Sequence, residues 1–256
     1  MAKRKKKPTE GKTFLIVLLI LAVLATITWW LNGYFSNPSF VHYKEFGTFI
    51  PSNYSVHGID VSRYQSNINW QDVKEMNIRG VNIDFAFIKA TEGTDLVDER
   101  FGRNWVHAAK HKLPRGAYHF FNTKRSAAEQ ADNFVQRVKL KPGDLPPVLD
   151  VEQDNGVSKD LIQQRVAEWL LLVERNYGVK PIIYTNVAFY NRYLSPRFDN
   201  YPLWVAHYLV KDRPRIGRKW IFWQHSESAH VNGIDSFVDF NVFNGDSADF
   251  QQLLIR

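Results

Sequence analysis

The sequence predicts an α/β fold: an irregular β/α barrel of five β/α repeats plus three further strands, preceded by one transmembrane helix. Three observations predict it. From residue 56 to about residue 186, short apolar runs alternate with amphipathic segments. Three more strand-like runs follow, with no long amphipathic segment between them. Ahead of all this, a long uncharged run follows a block of lysines.

Lys3, Arg4, Lys5, Lys6, Lys7 and Lys12 against Glu10 give residues 1–13 a net charge of +5, a basic tail. Residues 14–31 (FLIVLLILAVLATITWWL) hold no charge. As a helix they would be about 27 Å long, close to the ~30 Å hydrocarbon core of a bilayer. Trp29 and Trp30 stand at the far end, where interfacial aromatics sit. Residues 14–31 are therefore predicted to be a signal anchor in a lipid bilayer. The positive flank leaves the N-terminus cytoplasmic and puts the rest outside the cytoplasm. The alternative is a signal peptide cut near Val23-Leu24-Ala25, giving a secreted protein. Residues 32–55 read as a juxtamembrane linker, with room for a turn or strand packing on the domain, and residues 56–256 as the barrel.

Within the barrel, strands are predicted over 56–61, 85–90, 115–121, 147–152, 181–186, 203–208, 220–226 and 238–243. Helices are predicted over 70–78, 99–110, 126–138 and 158–177. Ser126 with Glu129 forms a capping-box signature, and Gly178 stops the long helix.

Net charge is +7, but the basic tail leaves only +2 for the remainder, so a nucleic-acid partner is not expected. There is no cysteine, which removes disulfide and thiolate chemistry. No Gly-rich phosphate loop occurs, and no cofactor is expected. Eight Trp and eleven Tyr suit either a sugar-binding groove or an aromatic core.

The candidate chemistry lies in acids at strand ends. In Pro147-Val148-Leu149-Asp150-Val151-Glu152, the two carboxylates are two residues apart. On a strand they share a face, roughly 6.5–7 Å apart along the chain. Crowded acids raise one another's pKa, and a neutral acid beside an ionised one suits glycosidic cleavage. Asp60 ends the first strand and Asp239 lies in the last, so four acids from three strands can meet on the C-terminal rim of a barrel. Candidate sugar-contacting residues are Tyr64, Lys89, Tyr118, Phe120, Tyr184, Trp204, Trp223 and Gln224, with Tyr208 also at a strand end. Lys89 sits among apolar residues and needs a partner, expected to be a rim acid.

These residues carry a resemblance. The segments GIDVSRYQ (58–65), FIKATEG (87–93), RGAYHFF (115–121), PPVLDVE (146–152), IIYTN (182–186), LWVAHY (203–208), FWQHS (222–226) and VDFNVF (238–243) resemble glycoside hydrolase family 25, the Chalaropsis-type lysozymes. His225 departs from the Tyr more common there. The resemblance implies hydrolysis of the β-1,4 bond between N-acetylmuramic acid and N-acetylglucosamine in peptidoglycan. It implies Glu152 as general acid, Asp150 as second carboxylate, and Asp60 and Asp239 as further acids of the site. Assistance by the substrate's acetamido group, oriented by Asp150, is the leading scheme, with Asp150 as direct nucleophile second. Retention or inversion stays open.

Two rival classes fit less well. A metal-dependent barrel hydrolase would use His57, His119, His207 and His225, but no H-x-H or H-E-x-x-H spacing occurs and no metal site is expected. A cell-wall binding protein without turnover would not need all four acids.

Overall fold

The computed structural model describes residues 15, 17–28, 40–210 and 212–256. It divides into an N-terminal unit and a compact unit spanning Phe40–Arg256. In the first unit, residues 17–28 form helix α1 with exposed side chains. Among the described residues no helix is long and apolar enough to cross a membrane. The predicted span of 14–31 reaches beyond α1 at both ends, and its residues 14, 16 and 29–31 lie outside the described residues, as does the basic tail.

The second unit begins with a hairpin, β1 (Phe40–Tyr43) and β2 (Thr48–Pro51), antiparallel to each other. The hairpin occupies part of residues 32–55, where the sequence left room for a strand packing on the domain. Phe40 packs edge-on against Trp223, Phe46 against Phe240, and Thr48 Oγ1 donates to Ser226 Oγ at 2.9 Å. These contacts tie residues 40–51 to the barrel wall.

Eight strands then close a barrel: β3 (His57–Val61), β6 (Phe85–Glu92), β8 (Arg115–Phe120), β9 (Val148–Asp150), β10 (Ile182–Asn186), β11 (Leu203–Ala206), β12 (Phe222–Ala229) and β13 (Val238–Phe243). Neighbours run parallel from β3 round to β12. β13 runs antiparallel to both β12 and β3, which completes the ring. Short pairs β4 (Asn77–Ile78) with β5 (Val81–Asn82), and β7 (Leu96–Val97) on β6, are accessory.

Helices α2 (Trp70–Glu75), α3 (Phe101–Lys110), α4 (Ala127–Arg137) and α5 (Lys159–Tyr177) follow the first four barrel strands. Asn69 caps α2 and Ser126 caps α4, accepting from Glu129 N–H. Gly178 ends α5 at φ +72°, a left-handed conformation that favours glycine. After β10 only the short α6 (Val187–Phe189) and a π turn over Tyr190–Leu194 occur, so the predicted loss of rhythm is real. A C-terminal helix, α7 (Ser247–Leu253), was not predicted. Its signal was present, since Asp246 and Asp249 form a capping box.

Alternation along the strands divides the core. Inward residues Phe85, Phe87, Val148, Ile182, Trp204, Phe222 and Phe243 fill the barrel floor. Outward residues such as Ile59, Ile88, Leu149, Ile183, Val205 and Phe240 join the helices. Gly58 and Gly116 make room for the large rings: a Cβ on either would come within about 2.5 Å of Phe85 or Phe87. Small residues facing large ones let a narrow barrel close without voids.

Candidate active site

Above the apolar floor the inward positions turn polar. They line a cavity of about 420 Å³ that contains all four predicted acids, Asp60, Asp150, Glu152 and Asp239. Asp60 and Asp150 stand at or next to the C-terminal ends of β3 and β9. β9 stops at Asp150, but Val151 N–H still donates to Tyr184 O, so the chain continues extended and Glu152 reaches the same cavity. Asp239 arrives by the opposite route. It stands near the start of an antiparallel strand, directly opposite Asp60 in register.

A polarised network fixes Asp60. Gln224 Nε2 and Asn241 Nδ2 donate to Asp60 Oδ2 at 2.7 and 2.8 Å. Behind them, Tyr184 and Tyr208 hydroxyls donate to Gln224 Oε1, and Trp204 Nε1 donates to Asn241 Oδ1 at 2.8 Å. Burial raises Asp60 to about 6 against the pull of those donors. Burial, then the charge of Asp60, pushes Asp239 up to about 9. The two carboxyls are hydrogen-bonded to each other, so they share one proton. With two amides aimed at Asp60, the anion belongs there and the proton on Asp239.

The other pair is also shifted. Burial, then the charge of Glu152, pushes Asp150 well above the ordinary carboxylate range. Glu152 is raised as well, first by burial and then by Asp60, while Lys89 pulls both down. One atom stands out: Asp150 Oδ1 is buried and has no hydrogen-bond partner among the described residues.

Seven of the eight predicted contact residues line the cavity: Tyr64, Lys89, Tyr118, Phe120, Tyr184, Trp204 and Gln224. Trp223 does not, and this is a correction. It is fully buried on the outer face of β12, packed on Phe40, Tyr54 and Trp220, with Nε1 donating to His207 O. Its neighbour Gln224 faces inward, and adjacent strand residues point to opposite faces. Lys89 pairs with Glu92 at 2.7 Å rather than with one of the four acids, and lies 4.7 Å from the Phe120 ring centre. Sequence reasoning missed Glu227, Gln65 and Asn241. Glu227 and Gln65 line the cavity, and Asn241 sits two residues from Asp239 on the same face.

The histidines lie elsewhere. His119 is buried between Thr91, Gln130 and the Trp169 ring, and His57 and His225 are buried beside Phe240. Among the described residues no group of three His, Asp or Glu side chains is arranged to hold a metal ion.

Paired carboxyls with raised pKa values in an aromatic-lined cleft, at the rim of a closed β/α barrel, define the site of a glycoside hydrolase. Residues 59–234 match the model of glycosyl hydrolases family 25. The uncharacterized protein YegX of Escherichia coli K12 is 43% identical over 257 residues, 96% of this chain and 94% of that one. Lysozyme M1 of Streptomyces globisporus is 35% identical over 208 residues, 75% of this chain and 69% of that one. A family 25 glycosyl hydrolase from Bacillus anthracis superposes with a TM-score of 0.75 at 31% identity, covering 84% of this chain and 100% of that one. The bacterial lysozyme from Streptomyces coelicolor gives 0.70 at 33% identity, covering 77% and 96%. The chain belongs to glycosyl hydrolases family 25.

Proposed function

We propose that this enzyme is a muramidase that cleaves the β-1,4 bond between N-acetylmuramic acid and N-acetylglucosamine in peptidoglycan, with Glu152 as general acid. The observation that carries the residue roles is the unpartnered Oδ1 of Asp150, buried in the cavity beside Glu152. An acceptor buried without a donor costs about 1–3 kcal/mol, and a substrate N–H relieves it.

In this reading the acetamido N–H of the sugar donates to Asp150. That bond favours the Asp150 anion, and the anion raises Glu152 in turn. Substrate binding thus moves the proton to the residue that must give it up. Glu152 protonates the leaving oxygen as the acetamido carbonyl oxygen closes on the anomeric carbon. Water then opens that intermediate, with Glu152 accepting its proton. The Asp60 anion stabilises positive charge growing on the sugar. Protonated Tyr184 and Tyr208 hold Gln224, and Gln224 holds Asp60.

The scheme is tested on the whole chain in detergent, by mass and anomeric analysis of muropeptides released from purified peptidoglycan. Retained configuration at the cut bond, and release slowed by about 10²–10⁴ in Glu152→Gln, are expected. An inverted product would sink the acetamido route.

The reading also includes a signal anchor over residues 14–31, with the catalytic unit outside the cytoplasm. The uncharged run, its basic flank and its two tryptophans support it. So do the hydroxyls of Thr26 and Thr28, which donate to Val23 O and Leu24 O and so need no water. A C-terminal periplasm-active reporter should be active and the protein should resist carbonate extraction. An inactive reporter, or release of the protein into the soluble fraction, counts against the anchor.

A further inference from the structure

Beside the acidic cavity lies a cationic cluster that the mechanism does not use. The rim turn after β3, Arg63–Gln65, is capped by Ser62 and puts Tyr64 and Gln65 into the cavity wall. Two residues on, the side-chain oxygen of Asn67 accepts from Arg100 Nη1 at 3.2 Å and from Arg103 Nη1 at 2.5 Å. One neutral amide thus holds two guanidinium groups together.

Such a pair is electrostatically unfavourable, and among the described residues neither guanidinium is in an ion pair. The three ion pairs among the described residues involve Lys89, Arg115 and Arg218, not these two. Asp98 is buried and its two oxygens are taken by the backbone N–H groups of Arg63 and Arg100. Glu99 is exposed, and its charge acts on Arg63, whose guanidinium lies 5.5 Å from the Tyr64 ring centre. Arg100 also occupies the N-cap of α3, the positive end of a helix, where a cation is disfavoured. Its Nε is buried without a partner. Stability alone favours none of these placements. A bound anion offsets the charge of the pair and of the helix end, and paired guanidinium forks match carboxylates.

We propose that Arg100 and Arg103 form an anion subsite at the lip of the groove, which takes a carboxylate of the peptide stem carried by the glycan strand. The enzyme therefore prefers peptide-bearing strands to naked ones. The acids in the cavity repel such a carboxylate, so the stem must lie outside it, and the lip beside Tyr64 is where the cations stand. This subsite rests on the muramidase reading.

The test uses the whole chain in detergent and two substrates: glycan strands with intact stems, and the same strands stripped by an amidase. Cleavage and strand binding are both measured for wild type, for R100Q/R103Q and for R100K/R103K. Wild type should show a KM about tenfold lower on peptide-bearing strands, the scale of one charge-assisted hydrogen bond. R100Q/R103Q should erase that difference and leave kcat on stripped strands unchanged, and R100K/R103K should keep part of it. Equal KM of wild type on both substrates overturns the subsite, as does a glutamine variant that keeps the preference. A loss that falls equally on both substrates shows a structural role and overturns it too. Binding separates the two readings. Strands that wild type binds without cutting, and that R100Q/R103Q releases, would support the subsite and refute the muramidase.

Discussion

The shared proton between Asp60 and Asp239 makes a prediction about stability. Asp239 is raised from 3.8 to about 9 by burial and by Asp60. A folded-state pKa above the unfolded value means the folded protein binds a proton that the unfolded chain has released. Its contribution is complete below pH 4 and is lost as pH rises towards 9. Asp239→Asn mimics the protonated form, because its amide donates to Asp60 where the acid proton did, and it removes the linkage. If even one to two units of the rise act at pH 8, the wild type gives up about 2 kcal/mol that the variant keeps. For a unit of this size that is roughly 4–8 °C in Tm. Thermal unfolding of both proteins from pH 4 to pH 9 is the assay. The buried His57, His119 and His225, all lowered by burial, add a rise in stability between about pH 3 and 6.5. They are common to both proteins and cancel in the difference. The variant should match the wild type near pH 4 and gain steadily above it. Parallel curves, or a variant less stable at pH 8, would refute the shared proton.

Three further outcomes are expected. Glu152→Gln should lower kcat by about 10²–10⁴ while strand binding and Tm hold, read by reducing-end release and co-sedimentation. Trp223→Ala should destabilise by about 3–5 kcal/mol in urea and leave KM unchanged, because the ring lies in the outer core; a raised KM with normal stability would return it to the groove. Gly58→Ala should cost at least ~1–3 kcal/mol, since the new Cβ meets the Phe85 ring at 2.4 Å; an unshifted Tm would disprove the packing argument.

Much of this was legible from alternation alone. Phe85, Phe87 and Lys89 face inward while Ala86 and Ile88 face outward, as period two demands. The same rule could have excluded Trp223, since Gln224 beside it was already assigned to the groove. The hairpin over residues 40–51 could be placed only as room for a turn or strand, because its strands are four residues long and the surrounding stretch holds Gly, Ser and Asn. Helix α7 carried a capping box but only a single buried aromatic, Phe250, too little periodicity to count.

Two of the remaining misses, Glu227 and the partner of Lys89, share one physical cause. The β6–β8 register shifts between Lys89 and Thr91, and the β12–β13 register shifts between Gln224 and Ser226. Each bulge adds one residue and reverses the alternation beyond it. Past the first, Thr91 faces out to His119 and Glu92 pairs in register with Phe120, which brings Glu92 to Lys89. Past the second, Ser226 turns outward to Thr48 and Glu227 turns into the cavity. A regular strand would have sent Glu227 into the outer core and left Lys89 to pair with the four acids. Lys89 would then have neutralised the carboxyl that donates the proton. The bulge at Ala90 supplies Glu92 as a separate counterion, so Lys89 lowers Asp150 and Glu152 without ending their rise. Exchanging Glu92 for Gln frees Lys89 to pair with Asp150 or Glu152, and the alkaline limb of the pH–rate profile should then move to lower pH. An unmoved limb would mean that the bulge serves the fold and not the acid.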